Sequence, residues 1–153
     1  MTISKSRAMK SNSPSKTKKL GFNFAKKILK EKFSQPIIVG LRGNLGSGKT
    51  TFIQGFARGL GIKNRIMSPT FVIFRHYLLR KKSRAHFFHM DAYRIKKLSE
   101  LKHLDFEEIT SLPKSVVLVE WPEKIKKALP KKTKWLEFRH GEKENERNIE
   151  FGK

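Results

Sequence analysis

Residues 43–51 read GNLGSGKTT, and Gly43, Gly48, Lys49 and Thr50 fit the spacing G-x-x-x-x-G-K-[ST]. Glycines at those positions let consecutive backbone N–H groups turn inward, and a helix opening directly behind them aims its positive end at the same point. A loop of Gly43, Asn44, Leu45, Gly46, Ser47, Gly48, Lys49, Thr50 and Thr51 therefore suits a nucleoside triphosphate. In that role Lys49 bridges the β- and γ-phosphates as a point charge, and the Thr50 hydroxyl is a ligand to Mg²⁺. A glycine-rich turn with a surface lysine shares this composition. It does not require an apolar strand before the loop and a helical pattern after it, and both are present here.

A phosphate cradle binds; hydrolysis also needs a carboxylate near the metal and a group that orients water. FFHMD ends in Asp91 and VVLVE ends in Glu120. Each is an acid at the end of an apolar run, where an open α/β sheet places its ligands, although a solvated strand terminus reads the same way. Thr70, in SPT about twenty residues past Lys49, occupies the position of a switch-loop threonine that meets Mg²⁺ and the γ-phosphate; an ordinary Ser-Pro turn is the alternative. His86 and His89 are three apart on a strand and so point to opposite faces, which argues against a shared metal ion. Guanine specificity rests on an [NT]KxD segment, and TKWL at 133–136 lacks the aspartate, so ATP is the expected nucleotide.

The elements that would position these residues follow from periodicity. Leu20, Phe24, Ile28 and Leu29 recur at helical spacing and predict an amphipathic helix from Leu20 to Phe33, ending near Ser34 ahead of Pro36. PIIVGLRG is a short buried strand. Phe52, Ile53, Phe56 and Leu60 then share a helical face, closed by Gly61 as a C-terminal cap. FVIFRHYLL and AHFFHMD flank the cationic tip RKKSR (80–84) as a hairpin. LSELKHLDFEEIT is helix and loop, SVVLVE a central strand, and WLEFRH and NIEF two short outer strands around GEKENE. The succession predicts an α/β fold, a three-layer P-loop NTPase-like domain with a mixed parallel and antiparallel sheet.

The chain of 153 residues has room for one domain. Its 35 Lys and Arg against 13 Asp and Glu leave a formal charge of +22, a field that attracts polyanions. Lysine is also the usual solubilising surface residue, so charge alone does not define a nucleic-acid binder. The lack of cysteine excludes disulfides and cysteine-based zinc sites and permits a reducing cytosol. No apolar run approaches the roughly 18 residues that cross a bilayer, so no membrane partner and a cytoplasmic location are expected. Residues 1–19 hold six cations, five serines and no acid. They read as a basic, disordered tail ahead of a single domain at 20–153, with an organelle transit peptide as the alternative.

GNLGSGKTT, SPTF, HMDAYR and LVEWPE, in this order and at these separations, resemble the bacterial TsaE (YjeE) family, small P-loop ATPases of tRNA threonylcarbamoyladenosine formation. The likeness runs from about Leu20 to Glu150, and H-x-D-x-Y-R followed by V-E-W-P is its specific part. The resemblance implies weak ATP hydrolysis and two sugar-kinase-like partners, a TsaD-type transferase acting on A37 of ANN-decoding tRNAs and its TsaB-type companion; separately, the charge allows direct tRNA contact through the tail or RKKSR. It also implies roles: Lys49 and Thr50 for phosphate and Mg²⁺, Glu120 as the acidic Mg²⁺ ligand, Asp91 as a water-positioning candidate and Thr70 as the switch threonine. Tyr93, Arg94 and Trp121 match motif residues for partner contact or coupling. Two positions depart from the family pattern. Asn44 replaces a usual acid, and Asp105 stands where glycine is common, which puts the local backbone in question. A small-molecule kinase with an arginine-bearing lid, or a nucleic-acid binder resting on charge, are the competing classes.

Overall fold

The computed structural model describes residues 8–31, 34–66, 69, 73–81 and 84–152. Its elements are β1 (Ala8–Ser11), α1 (Pro14–Lys30), β2 (Ile37–Gly43), α2 (Lys49–Gly59), β3 (Phe74–Lys81), β4 (Arg84–Asp91), α3 (Phe106–Ser111), β5 (Ser115–Glu120), β6 (Lys134–His140) and β7 (Arg147–Gly152), with 3₁₀ turns at Leu98–Leu104 and Pro122–Ala128. The seven strands form one sheet in the order β1-β7-β6-β2-β5-β4-β3. β2 lies parallel to both β5 and β6, and β5 parallel to β4, while β1–β7, β6–β7 and β3–β4 pair antiparallel. This is the mixed α/β sheet that the sequence predicted.

SVVLVE is buried along its whole length, and its central VVLV is apolar because β5 is covered on both faces. Val116 and Leu118 point into one core with Phe24, Ile28, Phe52 and Phe56 from α1 and α2. Val117 and Val119 point into the other with Leu101, Phe106 and Ile125 from the 3₁₀ turns and α3. The three expected layers are therefore helix pair, sheet, and a thinner layer of short turns.

The predicted tail is a correction. Residues 8–19 supply the edge strand β1 and the first turns of α1, so the folded part starts well before Leu20. The start of α1 is set locally: Ser13 is extended, its Oγ accepts the Lys16 N–H at 3.1 Å, and Pro14 takes the first helical position. Thr17, Gly21, Phe24, Ala25 and Ile28 then form the buried stripe, while the lysines that resembled a solvated tail stay outside. Two further expectations change. β6 is interior, with Leu136 and Phe138 buried, and β7 is shielded by β1. In the hairpin, Arg80, Lys81 and Arg84 belong to the strands, and Arg84 is fully buried with its Nη1 donating to Gln35 O at 2.6 Å. Asp105 does keep the left-handed backbone (φ 54°) that glycine favours; aspartate is among the few side chains that tolerate it. Among the described residues, no helix is long and apolar enough to cross a membrane.

Candidate functional site

Parallel pairing aligns three strand ends on one edge. Leu41 and Asp91 are both opposite Glu120 in the register, so the loop after β2 opens beside both acids. In that loop Ser47 N–H donates to Asn44 O at 3.1 Å, and Gly46 and Gly48 take φ of 78° and 98°, where glycine is unstrained. Gly48 caps α2 without any side-chain hydrogen bond, and the first turn holds no acid. The leading amides of α2, with the positive end of its dipole, thus face outward.

They face a cavity of about 630 Å³. Leu45, Gly46, Gly48, Lys49, Thr50 and Thr51 line it from the loop and helix, Asp91 from the last position of β4 with Tyr93 after it, and Glu120 from the last position of β5 with Trp121 after it. Of the expected loop residues, Gly43, Asn44 and Ser47 are not in the lining; the Ser47 hydroxyl is buried with no hydrogen-bond partner. Thr70 lies outside the described residues. Arg94 is exposed and is not part of the lining.

The electrostatics are those of charges gathered where water is scarce. Lys49 is buried, its Nζ donates to Gly43 O at 2.5 Å, and it sits 3.9 Å from the centre of the Trp121 ring. Burial pulls the Lys49 ammonium below its ordinary range, against the opposing pull of Glu120, Glu123 and Asp91. Burial likewise pushes the Asp91 carboxyl up; the Tyr93 N–H, donating at 2.9 Å, resists the rise and the Glu120 charge adds to it. Glu120 is 5% exposed and shares a 2.8 Å hydrogen bond between its Oε2 and His89 Nε2. His86 instead meets His76 at 2.9 Å, so the two histidines have separate partners, as strand alternation requires. Trp121 has a left-handed backbone (φ 56°, ψ 47°), which reverses the chain after Glu120 and lays the indole over Lys49 and against Tyr93, with ring centres 5.1 Å apart.

The donor set suits a phosphate chain with a shared divalent cation: uncapped amides, one ammonium, two threonine hydroxyls and, opposite them, two carboxylates. Among the described residues, no three of His, Cys, Asp and Glu are clustered to hold a metal unaided. Mg²⁺ fits such a place because it keeps water and phosphate oxygens and takes one or two carboxylates. Sequence reasoning missed Pro14, Thr17, Asn145 and Arg147, which complete the wall. Ser13-Pro14 was an available start signal for the helix that brings the first two; no pattern marks Asn145 or Arg147.

A family model described as "TsaE: Threonylcarbamoyl adenosine biosynthesis protein TsaE" matches residues 11–149. Proteins named tRNA threonylcarbamoyladenosine biosynthesis protein TsaE are similar in sequence. The Bacillus subtilis one is 39% identical over 114 residues, 74% of this chain and 68% of that protein. The Haemophilus influenzae one is 33% identical over 112 residues, 73% and 68%. The Synechocystis one is 40% identical over 91 residues, which is 58% of this chain and only 55% of that relative. The crystal structure of Bacillus subtilis YdiB superposes with a TM-score of 0.73 at 28% identity, covering 99% of this chain and 87% of that one.

Proposed function

This chain belongs to the TsaE family of threonylcarbamoyladenosine biosynthesis proteins, and from that premise we propose that it is a weak Mg²⁺-dependent ATPase required for threonylcarbamoylation of A37 in ANN-decoding tRNAs, acting beside TsaD-type and TsaB-type partners in the cytoplasm rather than performing the transfer itself. The observation that carries the reading is the meeting of Lys49, Asp91 and Glu120, from three separate elements, around the uncapped start of α2. The α2 amides and Lys49 hold the phosphate chain of ATP and offset its charge. Thr50 and Glu120 would hold Mg²⁺, which would supply charge neutralisation for the phosphate chain. Asp91, raised by burial and anchored through the Tyr93 N–H, accepts a hydrogen bond from the attacking water and orients it. Trp121 and Tyr93 screen one side of the cavity from bulk water.

Of the two arginines in the RKKSR segment, the one candidate for an arginine-bearing kinase lid, Arg84 is buried and engaged with Gln35, which weighs against the kinase alternative. Lys49→Ala, with ATP binding followed by titration calorimetry in Mg²⁺, is expected to weaken binding by at least about a hundredfold, the loss of one desolvated charge-assisted hydrogen bond. ATP affinity equal to that of the unaltered protein would remove the loop from its assigned role.

A further inference from the structure

A second cavity, of about 530 Å³, lies along the α1–α2 pair and is separate from the one that holds Lys49. Lys18 and Lys19 of α1, Arg58 of α2, and Lys63 and Arg65 of the segment that follows line it, and no acid does. The helices can approach so closely because three glycines remove side chains from between them. A Cβ on Gly55 would lie 1.9 Å from Lys18 O, and one on Gly59 would lie 2.6 Å from Phe22 O. Like charges on the two helices are thereby forced into one groove.

Among the described residues, none of these cations forms an ion pair. Residues 1–90 contain twenty Lys and Arg but one acid, Glu31, whereas residues 91–153 contain fifteen and twelve. Glu31 is 3.5 Å from Lys134 of β6 and is not in the groove wall. Phe22 also lines the groove, 38% exposed, with Lys26 Nζ 5.4 Å from the ring centre. The apolar stripe of α1 is spent on the core, which leaves a single ring at the surface. One ring among several cations is too little apolar area for a lipid surface or for the core of a protein interface. It matches the recognition of unpaired nucleic acid, in which cations track the backbone and an aromatic face stacks a base.

We propose that the groove between α1 and α2 binds an unpaired stretch of RNA, with Lys18, Lys19, Arg58, Lys63 and Arg65 on phosphates and Phe22 under a base. The choice of RNA over DNA rests on the family reading; the groove itself does not depend on the ATP site. The site takes Lys18 and Lys19 from the end of the expected tail and no residue from the RKKSR segment.

The test is fluorescence anisotropy with a labelled 12-nucleotide single-stranded RNA and the full-length protein, from 50 to 300 mM KCl, with heparin as a second probe. Lys19→Glu, Arg58→Glu and Lys63→Glu combined should weaken RNA binding by more than about a hundredfold at low salt and flatten the slope of log affinity on log salt by about two, near 0.7 for each phosphate that is no longer neutralised. Lys126→Glu, Lys127→Glu and Lys131→Glu combined make the same charge change elsewhere on exposed positions and should cost less than about fivefold. Phe22→Ala should cost roughly tenfold for RNA, leave the salt slope and heparin binding unchanged, and be rescued by Phe22→Trp. Equal losses in the two charge variants, or RNA binding indifferent to Phe22, would overturn the proposal, since either result makes the charge a diffuse field. Cations on phosphates and a ring under a base do not read the 2′-hydroxyl, so a DNA oligomer of the same sequence should bind within a few-fold of the RNA; DNA bound much more tightly than RNA would also overturn the proposal. Mg²⁺-ATP affinity, measured on the same variants, should stay as in the unaltered protein; loss of RNA binding in Lys49→Ala would equally sink the separation of the two sites.

Discussion

The two faces of the sheet use glycine in opposite ways. On the α1–α2 face Gly21, Gly55 and Gly59 sit inside helices and are there for space, with backbone of the neighbouring helix where a Cβ would be. On the other face, among the described residues, the connectors hold three left-handed positions and none is glycine: Asp105, Lys114 and Trp121, with φ of 54°, 58° and 56°. One face is therefore fixed by close packing and the other by short turns that carry local backbone cost, of order 1 kcal/mol or more per position for ordinary side chains. The difference bears on the site. The tight face supplies the helix start and Lys49, while the strained connectors follow Asp91 and Glu120 and turn Trp121 back over the lysine.

The sharpest way to break this contrast is Gly55→Ala. The added methyl would meet Lys18 O at 1.9 Å, and backbone on both sides leaves no side chain to move aside. Overpacking of this kind costs about 3 kcal/mol or more, enough to lower the melting temperature by roughly 6 °C or more in a chain of this size. Thermal unfolding by circular dichroism checks it; a melting point within a degree of the parent would mean that the helices can separate freely and that close packing does not set the α1–α2 face.

A smaller effect, of opposite sign, comes from the acid that ends β4. Burial raises the folded-state pKa of Asp91 above its ordinary 3.8, so the ionised form disfavours the folded protein. The contribution of Asp91 to stability is then fullest below that pH, declines as pH rises through the folded-state value, and stays constant above it. Asp91→Asn should consequently stabilise the nucleotide-free, Mg²⁺-free protein at pH 7, with the advantage vanishing near pH 3.5. Urea unfolding at the two pH values is the measurement. A variant less stable than the parent at pH 7 would show that the carboxylate is better solvated or better paired than its burial implies.

How much of this was legible depended on whether local chemistry or tertiary packing decided the outcome. β2, the glycine loop and α2 were readable because a phosphate cradle needs fixed residue types at fixed spacing, and Asp91 and Glu120 because each closes an apolar run. Gly61 was read as the end of α2, and its φ of 90° fits that role. The first turns of α1, before Leu20, were misread since their exposed lysines outweigh the single buried Thr17 in any count of composition. Arg84 was misread as a hairpin tip because burial of an arginine on a carbonyl 49 positions away leaves no local trace. Nor could the pattern of residues tell that β6 is interior, which follows only once β2 has chosen it as a neighbour. The pairing of His89 with Glu120 is likewise a product of β4–β5 register.

The smallest expected effect tests the strained side of the comparison. Asp105 joins the 3₁₀ turn to α3 with an exposed side chain that makes no capping hydrogen bond, so the side chain contributes little beyond its favourable charge at the helix start. Replacing it by glycine relieves the left-handed strain at the expense of that charge and of greater freedom in the unfolded chain. The net gain should be about 0.5 kcal/mol, or 1–2 °C in melting temperature. Alanine has neither the charge nor aspartate's tolerance of the left-handed region, so Asp105→Ala should lose about 1 kcal/mol. The order Gly above Asp above Ala is thus a more exacting criterion than any single shift. An alanine variant as stable as the glycine one would mean that this turn relaxes to ordinary backbone when the side chain allows it, and the strain assigned to the connectors of this face would then be absent at the position where it is easiest to measure.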